Sequence, residues 1–363
     1  MGGATAIRPV DRFDATRFPC TVAAPVNAFL EAEDRRIPLL LAAAAELPAL
    51  TGAGRIGVFI GAESGRGRME TLRRLVAAGG RPFDPVRFAE HARGLADALS
   101  PEVVSPAAPA VALARRLGAP GPVETVSLAC ASGLAAIVEA VRALRAGECD
   151  IAVAGGVGAD VDPLMLAGFG KLQALSAHGV SRPFDRRRDG FVVGEGAALV
   201  VLGAMPGPVR VGGVGRSVDA VHLTMPDPTG RGAERAMRAA IAEATRADPT
   251  LDRLDVVQAH GTSTPLNDAV EAAALRRLGM PIGAVSSVKG ALGHWIAGAG
   301  ALGLVVAAAS IAEGMVVPTA GLTDPDDDLP HVLGEGRRVT SRTALVNAFA
   351  FGGANVSVVL VAG

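Results

Sequence analysis

The chain of 363 residues is half apolar, with a mean hydropathy of +0.36 and a formal net charge of −1, and it is long enough to bury a large core. The near-neutral charge, the lack of tyrosine and the single tryptophan exclude a basic, aromatic surface for binding nucleic acid. Three scattered cysteines, Cys20, Cys130 and Cys149, are too few for a disulfide framework or a zinc site, and they suit a reducing cytoplasm.

Neither the N-terminal segment nor the longest uncharged run of the sequence predicts association with a membrane. The N-terminal segment MGGATAIRPVDRF lacks the apolar core of a signal peptide. The longest uncharged run, Gly290–Ala312, approaches the length of a membrane span, but it contains His294 and is rich in glycine and alanine. We therefore expect this run to form a helix inside a globular core, with no membrane association.

In the first half of the chain, apolar runs alternate with segments of helical periodicity. The predicted elements are the helices Ile37–Leu47, Val111–Leu117 and Leu134–Gly147, and the strands Arg55–Gly61, Thr125–Ala129, Asp150–Val157 and Ala197–Leu202. Arg55–Gly61 is apolar on both faces, as in a parallel sheet that is covered on two sides. Glu63–Arg74 is predicted to be a solvated surface.

A short proline- and glycine-rich segment, Gly203–Pro208, predicts a boundary between two halves, residues 1–204 and 205–363. The second half repeats the alternation with the strands Val209–Val214, Asp255–Ala259, Ile282–Val288 and Asn355–Val361 and the helices Gly232–Ala247, Asp268–Leu278 and one from Ile296. Strands that alternate with helices predict an α/β fold with largely parallel sheets. Glu124–Val157 and Ile282–Val317 share one order of elements, which indicates an internal duplication.

Cys130 lies where the predicted strand Thr125–Ala129 passes into a helix. The positive end of the helix dipole favours a thiolate there, and the thiolate is the nucleophile. Cysteine is also among the most buried residue types, so this segment taken alone favours a packing role.

Three further segments change that balance. His260 follows a strand in VQAHGTSTPLND, at the carboxyl end where α/β sheets place reactive groups, although Asp268 and Glu271 also resemble a capping box. Lys289, one of the two lysines of the chain, and His294 occupy the glycine-rich SSVKGALGHW. In NAFAFGGANV, two glycines follow two phenylalanines and give the backbone freedom.

Together, ACASG, HGTSTPLND, VKGALGH and FAFGGAN resemble the motifs of the beta-ketoacyl-[acyl carrier protein] synthases, the ketosynthase family. The resemblance extends through GFGKLQALS and SRPFDRRRDGFVVGEG and covers roughly residue 55 to the C terminus. The HGTSTPLND form is most similar to the elongating, fatty-acid-type branch and its type II polyketide relatives. The initiating branch uses one histidine and one asparagine, which does not match two histidines.

The resemblance implies a thiolase-like fold, with two duplicated halves in five alternating αβαβα layers. The N-terminal half would carry the nucleophile Cys130, and the C-terminal half would carry His260, Lys289 and His294. It also implies a decarboxylative Claisen condensation in fatty acid or polyketide biosynthesis. Cys130 accepts an acyl chain, and an enolate formed from a malonyl thioester then attacks it.

The resemblance also assigns roles to the remaining motif residues. The backbone N–H groups of Cys130 and Phe351 would bind the oxyanion, His260 and His294 would stabilise the enolate, and Lys289 would set the charge around His294. The substrate-binding residues would be Thr262, Thr264, Phe349, Phe351 and Gly352, with the two threonines on the pantetheine arm and Phe351 as a gate.

No cofactor and no metal is expected, because the substrates are carried on the phosphopantetheine of an acyl carrier protein. That carrier protein is the implied partner, along with a homodimer or a ketosynthase heterodimer, and the implied location is cytoplasmic. One candidate docking patch for the acidic carrier consists of four arginines: Arg66, Arg68, Arg73 and Arg74.

The chain departs from the family pattern at several positions. A strand that normally opens the fold is missing, and we expect it to be central, between Arg55–Gly61 and Asp150–Val157. Either Ala4–Val10 fills its place or the two neighbours pair directly. Ala350 replaces the first glycine of GFGG, Gly303 replaces a glutamate partner of Lys289, and Trp295 is expected to narrow the pocket.

Two alternatives belong to other functional classes. A non-decarboxylating thiolase would need a second active-site cysteine near the C terminus, and none follows Cys149. A non-condensing partner subunit, similar to a chain-length factor, usually lacks the nucleophile. Cys130 is present, but the missing strand leaves this alternative open.

Overall fold

The computed structural model describes residues 4–50, 54–67, 69–94 and 101–363. The strands are β1 (Arg8–Pro9), β2 (Val22–Ala23), β3 (Ile56–Gly61), β4 (Val123–Val126), β5 (Ile151–Ala159), β6 (Glu195–Gly203), β7 (Val209–Val218), β8 (Leu254–Gln258), β9 (Ile282–Ser286), β10 (Met315–Val316), β11 (Arg337–Arg338), β12 (Thr343–Phe349) and β13 (Ala354–Ala362). The helices are α1 (Arg36–Ala44), α2 (Met69–Ala78), α3 (Pro85–Gly94), α4 (Pro101–Val104), α5 (Ala108–Leu117), α6 (Ser132–Arg145), α7 (Pro163–Lys171), α8 (Arg231–Ala247), α9 (Pro265–Arg277), α10 (Lys289–Leu292) and α11 (Ala299–Glu313).

Two mixed sheets form the frame of the described part of the chain. The first has the order β4-β3-β5-β6, with parallel pairs except for the antiparallel β5–β6 pair. The second has the order β7-β13-β12-β8-β9, in which β9, β8 and β12 are parallel and β13 is antiparallel to its neighbours. From β4 to β6 and from β9 to β13, the two sheets repeat one plan.

The helices complete five layers. Helices α1 and α5 cover the outer face of the first sheet, and α8 and α9 cover the outer face of the second. Helices α6 and α11 lie between the two sheets and contact both of them and each other. Gly133 and Gly300 allow this contact, because a Cβ atom on Gly300 would lie 2.8 Å from the Leu134 Cβ. The predicted α/β layers are therefore present.

The uncharged run that includes α11 belongs to the core, as expected. The window Ile296–Glu313 has the length and apolarity of a membrane span, but 67% of it is buried inside the fold. One hydrophobic cluster joins residues of both sheets through α6 and α11. The chain passes from the first sheet to the second between Gly203 and Val209. A division into two domains at residue 204 stays a prediction, because the two sheets share this core.

Of the two outcomes expected for the first sheet, direct pairing of the two neighbouring strands is confirmed. β3 pairs directly with β5 from Ile56–Ile151 to Gly61–Gly156. Ala4–Val10 does not enter the sheet, because Arg8–Pro9 pairs with Val22–Ala23 in a separate ribbon. The central position expected for a further strand is wrong. The additional strand of the second sheet, β7, lies at the edge beside β13, so the corresponding position in the first sheet is the edge beside β6.

The strand before Cys130 also differs from the prediction. β4 covers Val123–Val126, two residues earlier than expected, and it is an edge strand whose side chains are partly exposed. Ala129–Ala131 forms a single turn of 3₁₀ helix instead of continuing the strand. Helix α6 ends at Arg145, and Gly147 follows with a left-handed φ of +68°, as expected of a helix C terminus.

Candidate active site

Cys130 lies in a strained turn at the start of the buried helix α6. Ala129, directly before it, has a φ of +46°, a left-handed conformation that costs a residue with a Cβ atom roughly 1–2 kcal/mol. Cys130 is 7% exposed and lines a cavity of about 380 Å³. Strained backbone of this kind is characteristic of functional sites.

Burial dominates the acidity of Cys130. It raises the pKa of the Cys130 thiol to about 12, against the positive charge of Lys289, which acts in the opposite direction. The expectation that the thiolate is favoured is therefore wrong for the resting site. Burial raises this pKa by more than the charge of Lys289 lowers it, so the resting site favours the thiol over the thiolate.

His260 is held at the end of β8 by the carboxylate of Glu271, for which the sequence had indicated only a helix cap. The His260 backbone N–H donates to Glu271 Oε1 (2.8 Å), the Gly261 backbone N–H donates to Oε2 (2.8 Å), and the Asn347 side chain donates to Oε1 (3.0 Å). Burial raises the pKa of Glu271 to about 7. Glu271 thus fixes the backbone from which the His260 ring enters the cavity.

The capping-box interpretation of Asp268 and Glu271 is wrong. Helix α9 begins at Pro265, and Asp268 accepts hydrogen bonds from the N–H groups of Thr262 (2.8 Å) and Ser263 (3.0 Å). Both carboxylates therefore bind the HGTST loop instead of the helix terminus. In the sequence, the only signal for these contacts was the spacing of the two carboxylates after His260. That spacing predicted a helix cap, because the sequence does not show that the loop folds back onto the helix.

Lys289 lies behind His260 at the start of α10. Its ammonium donates to the His260 carbonyl oxygen, and Nζ is 3.5 Å from His260 Nδ1. Burial lowers the pKa of Lys289 to about 8, and the charge of Glu271 opposes that fall. Gly303, which replaces the glutamate of the family pattern, faces Gln258 and Val346. Lys289 is thus held by the His260 backbone and compensated by Glu271.

His294 presents a free donor to the cavity. Its Nδ1 accepts a hydrogen bond from the Ile296 N–H (3.2 Å), which places the proton of the neutral ring on Nε2. That buried Nε2 has no hydrogen-bond partner in the described part of the chain. The His294 backbone is fixed by its pairing with Val192 and Gly194.

The two imidazoles act as a neutral pair. Their ring centroids are 5.6 Å apart and their planes cross at 82°. Burial lowers the pKa of His260 and that of His294 well below their usual range, and the charge of Lys289 adds to both effects. With Lys289 on its Nδ1 side, His260 also has its Nε2–H available as a donor. Two neutral N–H donors therefore face the cavity that Cys130 lines.

The cavity brings together seven of the nine predicted site residues: Cys130, His260, Thr262, Thr264, His294, Phe349 and Phe351. The Thr262 and Thr264 hydroxyl oxygens are 2.9 Å apart, and the Phe349 ring packs 5.6 Å from that of His260.

The other two predicted residues lie behind the lining. Lys289 is covered by His260, as described above. Gly352 lies in the turn after β12 and has a φ of +87°. Its backbone N–H donates to the Leu223 carbonyl oxygen (2.7 Å). Leu223 belongs to the loop after β7, whose residues Asp219, Thr224 and Met225 form part of the cavity wall. Backbone hydrogen bonds therefore tie the glycine turn to this wall, and Gly352 itself does not line the cavity.

Two departures from the family pattern have a structural explanation. The expectation that Trp295 narrows the cavity is wrong. The Trp295 ring packs instead on Gly194 and Gly196, so closely that a Cβ atom on Gly196 would overlap the ring. Ala350 lines the cavity, and its backbone is not left-handed, unlike that of Gly352 and Gly353. An alanine therefore fits this conformation of the turn, and a stiffer hinge stays a prediction.

The four arginines proposed as a docking patch do not form one surface. Arg66 is largely buried and pairs with Asp160 and Asp162, each at 2.7 Å. Arg73 and Arg74 are exposed and pair with Glu70 on α2. Arg68 lies outside the described residues. Because Arg66 is engaged in buried ion pairs, it cannot serve a partner, and the solvated-surface prediction is also wrong for it.

Comparisons with known proteins agree with this geometry. The model of the beta-ketoacyl synthase N-terminal domain matches residues 5–205, and that of the C-terminal domain matches residues 209–323. A 3-oxoacyl-[acyl-carrier-protein] synthase 2 of Coxiella burnetii is 33% identical to the chain over 399 residues, covering 99% of this chain and 92% of that protein.

Two solved structures share the fold over nearly their whole length. The ishigamide ketosynthase/chain length factor superposes with a TM-score of 0.83 at 29% identity, covering 100% of this chain and 93% of that one. A beta-ketoacyl synthase from Burkholderia phymatum STM815 superposes with a TM-score of 0.82 at 28% identity, covering 99% and 93%. The predicted thiolase-like α/β fold is confirmed, and the chain belongs to the beta-ketoacyl synthase family.

Proposed function

We propose that the protein catalyses the decarboxylative Claisen condensation of an acyl group on Cys130 with a malonyl group on an acyl carrier protein. The product would be a β-ketoacyl thioester in fatty acid or polyketide biosynthesis. The observation that carries this proposal is the convergence of one thiol and two neutral imidazole donors on a single cavity. The unpartnered His294 Nε2–H is a donor that awaits a negatively charged oxygen.

In the first half-reaction, the sulfur of Cys130 attacks the thioester carbonyl of the acyl group on the carrier. The bond to the pantetheine sulfur breaks, and the proton lost by Cys130 ends on the released pantetheine thiol. The backbone N–H groups of Cys130 and Phe351 would stabilise the tetrahedral oxyanion. Because burial raises the pKa of the Cys130 thiol, the sulfur must lose its proton as the new carbon–sulfur bond forms, and the positive charge of Lys289 favours that loss.

In the second half-reaction, the bond between the malonyl carboxylate and its α-carbon breaks and CO₂ leaves. The electron pair forms an enolate whose oxygen accepts hydrogen bonds from His260 Nε2 and His294 Nε2. The α-carbon then attacks the acyl carbonyl, the bond to the Cys130 sulfur breaks, and the released thiolate takes a proton from water. Because both rings are neutral, they stabilise the enolate without protonating it.

The remaining predicted residues would support these steps. Lys289 would hold His260 in the required tautomer, and the Thr262 and Thr264 hydroxyls would bind the pantetheine amides. Phe349 would orient the His260 ring, and Phe351 would separate the two half-reactions, with Gly352 giving its turn freedom. These assignments need neither a metal nor a redox cofactor.

The partners and the location are proposals of the same kind. The Coxiella burnetii relative is named for an acyl carrier protein, and the ishigamide structure is named as a ketosynthase/chain length factor. We extend both statements to this chain as an acyl carrier protein substrate and a homodimer or heterodimer in the cytoplasm. The partly exposed edge strand β4 supports a second subunit beside it. A non-condensing subunit is not favoured, because Cys130 lies with both histidines.

The function is tested by incubating the protein with an acyl carrier protein loaded with an acyl group and another loaded with malonyl. The mass of the carrier should rise to that of the β-ketoacyl product, with release of CO₂. Cys130→Ala should give no product, whereas Cys20→Ala, which changes a buried cysteine away from the cavity, should give the wild-type product. A product formed equally by Cys130→Ala would contradict the proposal.

A further inference from the structure

Glu63, which follows β3, binds the turn that carries Cys130. Its Oε1 accepts hydrogen bonds from the Ala129 N–H (2.8 Å) and the Ser132 hydroxyl (2.9 Å), and its Oε2 accepts one from the Ser127 hydroxyl (2.9 Å). Ser132 shares its single proton with the Ala129 carbonyl oxygen (2.7 Å) and accepts from the Leu128 N–H (2.8 Å). One carboxylate therefore joins both sides of the turn around the nucleophile.

These contacts act on the strained part of the backbone. Ala129 is the residue with the left-handed φ of +46°, and its N–H is the one that Glu63 binds. Such a conformation persists only when the surroundings determine it. Without this acceptor, the peptide before Cys130 would be free to return to an unstrained conformation. The direction of the Cys130 side chain and N–H would then change.

The position of Glu63 in the fold corresponds to that of His260. In the first sheet, the last β3–β4 pair is Gly61–Val126, and Glu63 is the second residue after it. In the second sheet, the last β8–β9 pair is Gln258–Ser286, and His260 is the second residue after it. The next N–H donates to the partner strand in both cases, at 3.1 Å and 2.9 Å. The place that holds an enolate donor in one half thus holds a carboxylate in the other.

We propose that Glu63 is a positioning residue for Cys130: its carboxylate locks the Ser127–Ser132 turn in the reactive conformation, and its negative charge, bound at the residue directly before Cys130, opposes ionisation of the thiol. The proposal rests on the assignment of Cys130 as the nucleophile. Its two parts can be separated, because a glutamine keeps the acceptor oxygen and removes the charge, whereas an alanine removes both.

The charged groups around Cys130 support the second part. Lys289 on α10 lowers the pKa of Cys130, whereas Glu63 and Asp160 raise it. Asp160 is paired with Arg66 at 2.7 Å, and the two imidazoles that share the cavity are neutral. Glu63 is therefore the carboxylate whose removal should change the acidity of Cys130 without exposing a buried arginine.

The test compares Glu63→Gln and Glu63→Ala with wild type, and uses Glu46→Gln as a control on an exposed glutamate after α1. The first readout is the rate at which iodoacetamide alkylates Cys130 as a function of pH, measured by peptide mass. Glu63→Gln should lower the midpoint by about 0.5–1 pH unit, which makes alkylation at a fixed pH about three- to ten-fold faster. Glu46→Gln should match wild type.

The second readout is the steady-state rate of condensation. Glu63→Ala should lower kcat about ten-fold while KM for the malonyl carrier changes less than about two-fold, because the turn is displaced and the binding surface is not. Glu63→Gln should restore most of the rate. If Glu63→Ala does not fold, Ser127→Ala removes one of the three hydrogen bonds and should lower kcat by about two- to five-fold.

An alkylation profile of Glu63→Gln that coincides with that of wild type would overturn the role of the charge. Wild-type turnover by Glu63→Ala, or by Ser127→Ala where that variant replaces it, would overturn the role in positioning. The alkylation readout does not depend on condensation. If the wild-type protein takes no acyl group from a carrier, the proposed function fails while the effect of Glu63 on Cys130 can still be measured.

Discussion

The Cys130 turn and the Lys289–His294 turn follow the same backbone plan with different chemistry. Each follows an edge strand, β4 or β9, and each enters a central helix through one turn of 3₁₀ helix. The first residue of that turn is left-handed in both, with a φ of +46° at Ala129 and +47° at Ile296. The duplication indicated by the sequence is therefore present in the backbone.

The difference lies in what precedes the turn. In the first half the strand leads almost directly into the turn, and the second residue of the turn is Cys130, the proposed nucleophile. In the second half that position is Ala297, and the longer segment Ser287–Trp295 carries Lys289 and His294. One copy of the plan thus provides a thiol at a helix terminus, and the other uses added length to place hydrogen-bond donors opposite it.

The largest expected effect comes from removing the two imidazole donors, His294 of the second turn and His260 of the loop after β8. His294→Ala and His260→Ala should each lower malonyl decarboxylation about 10²–10³-fold, because each removes a donor to the developing enolate oxygen. Acylation of Cys130 should remain, since the thiol and its turn are unchanged. Release of CO₂ from the malonyl carrier and the mass of the acylated protein measure the two steps separately. An equal loss of both steps would indicate structural collapse instead of a division of labour.

As the pH rises, the rate of decarboxylation, which depends on Lys289, and the rate of alkylation of Cys130 should change in opposite directions. Burial lowers the pKa of Lys289 to about 8, below its usual range, so the ammonium is charged near neutral pH and loses its proton above that value. Decarboxylation should therefore fall as the pH rises past about 8, and the two imidazoles should add no titration of their own because they stay neutral. Glu271, whose pKa is raised to about 7 by burial, is the other group near His260 that titrates in this range. Alkylation of Cys130 should rise over the same range, because its pKa is about 12.

A variant without the ammonium checks that assignment. Lys289→Met should have lower decarboxylation at neutral pH and no further fall above about pH 8, since the titrating group is gone. Rates of CO₂ release between pH 6 and 9 give the profile. A fall of equal steepness in Lys289→Met would assign the titration to another group.

A smaller effect is expected where the two central helices touch. Gly300→Ala places a Cβ atom 2.8 Å from the Leu134 Cβ and should destabilise the protein by about 1–3 kcal/mol. Gly168→Ala, on α7, meets nothing within 4 Å and should stabilise it by up to about 1 kcal/mol through helix propensity. Denaturant unfolding measures both. If Gly300→Ala were as stable as Gly168→Ala, the close contact of α6 and α11 would not hold.

The sequence predicted those site residues that lie in a recognisable motif within one short segment. Cys130, His260, Lys289 and His294 lie in motifs whose spacing is local, and the structure brings three of them to one cavity with Lys289 behind His260. Glu63 could not be found this way, because its role depends on the pairing of β3 with β4 and its own segment is rich in charges.

The strand order was the other failure, for a related reason. Apolar runs such as Arg55–Gly61 indicate burial, but they do not tell which strands are neighbours, so the missing strand was expected in the centre of the sheet. The direct pairing of β3 with β5 was one of the two expected outcomes, but the edge position of β7 in the second sheet shows that the further strand belongs at an edge. Burial of Cys130 likewise depends on packing by distant elements, and it reversed the expected acidity of the thiol.

The most direct test of the account is the mass of the intact protein after incubation with an acyl carrier protein that bears an acyl group. The wild-type protein should gain the mass of one acyl group, and peptide mapping should place it on Cys130. Cys130→Ala should gain nothing, whereas Cys149→Ala should behave as wild type. A covalent acyl group on Cys130→Ala, or its absence from the wild-type protein, would contradict the assignment of Cys130 as the nucleophile.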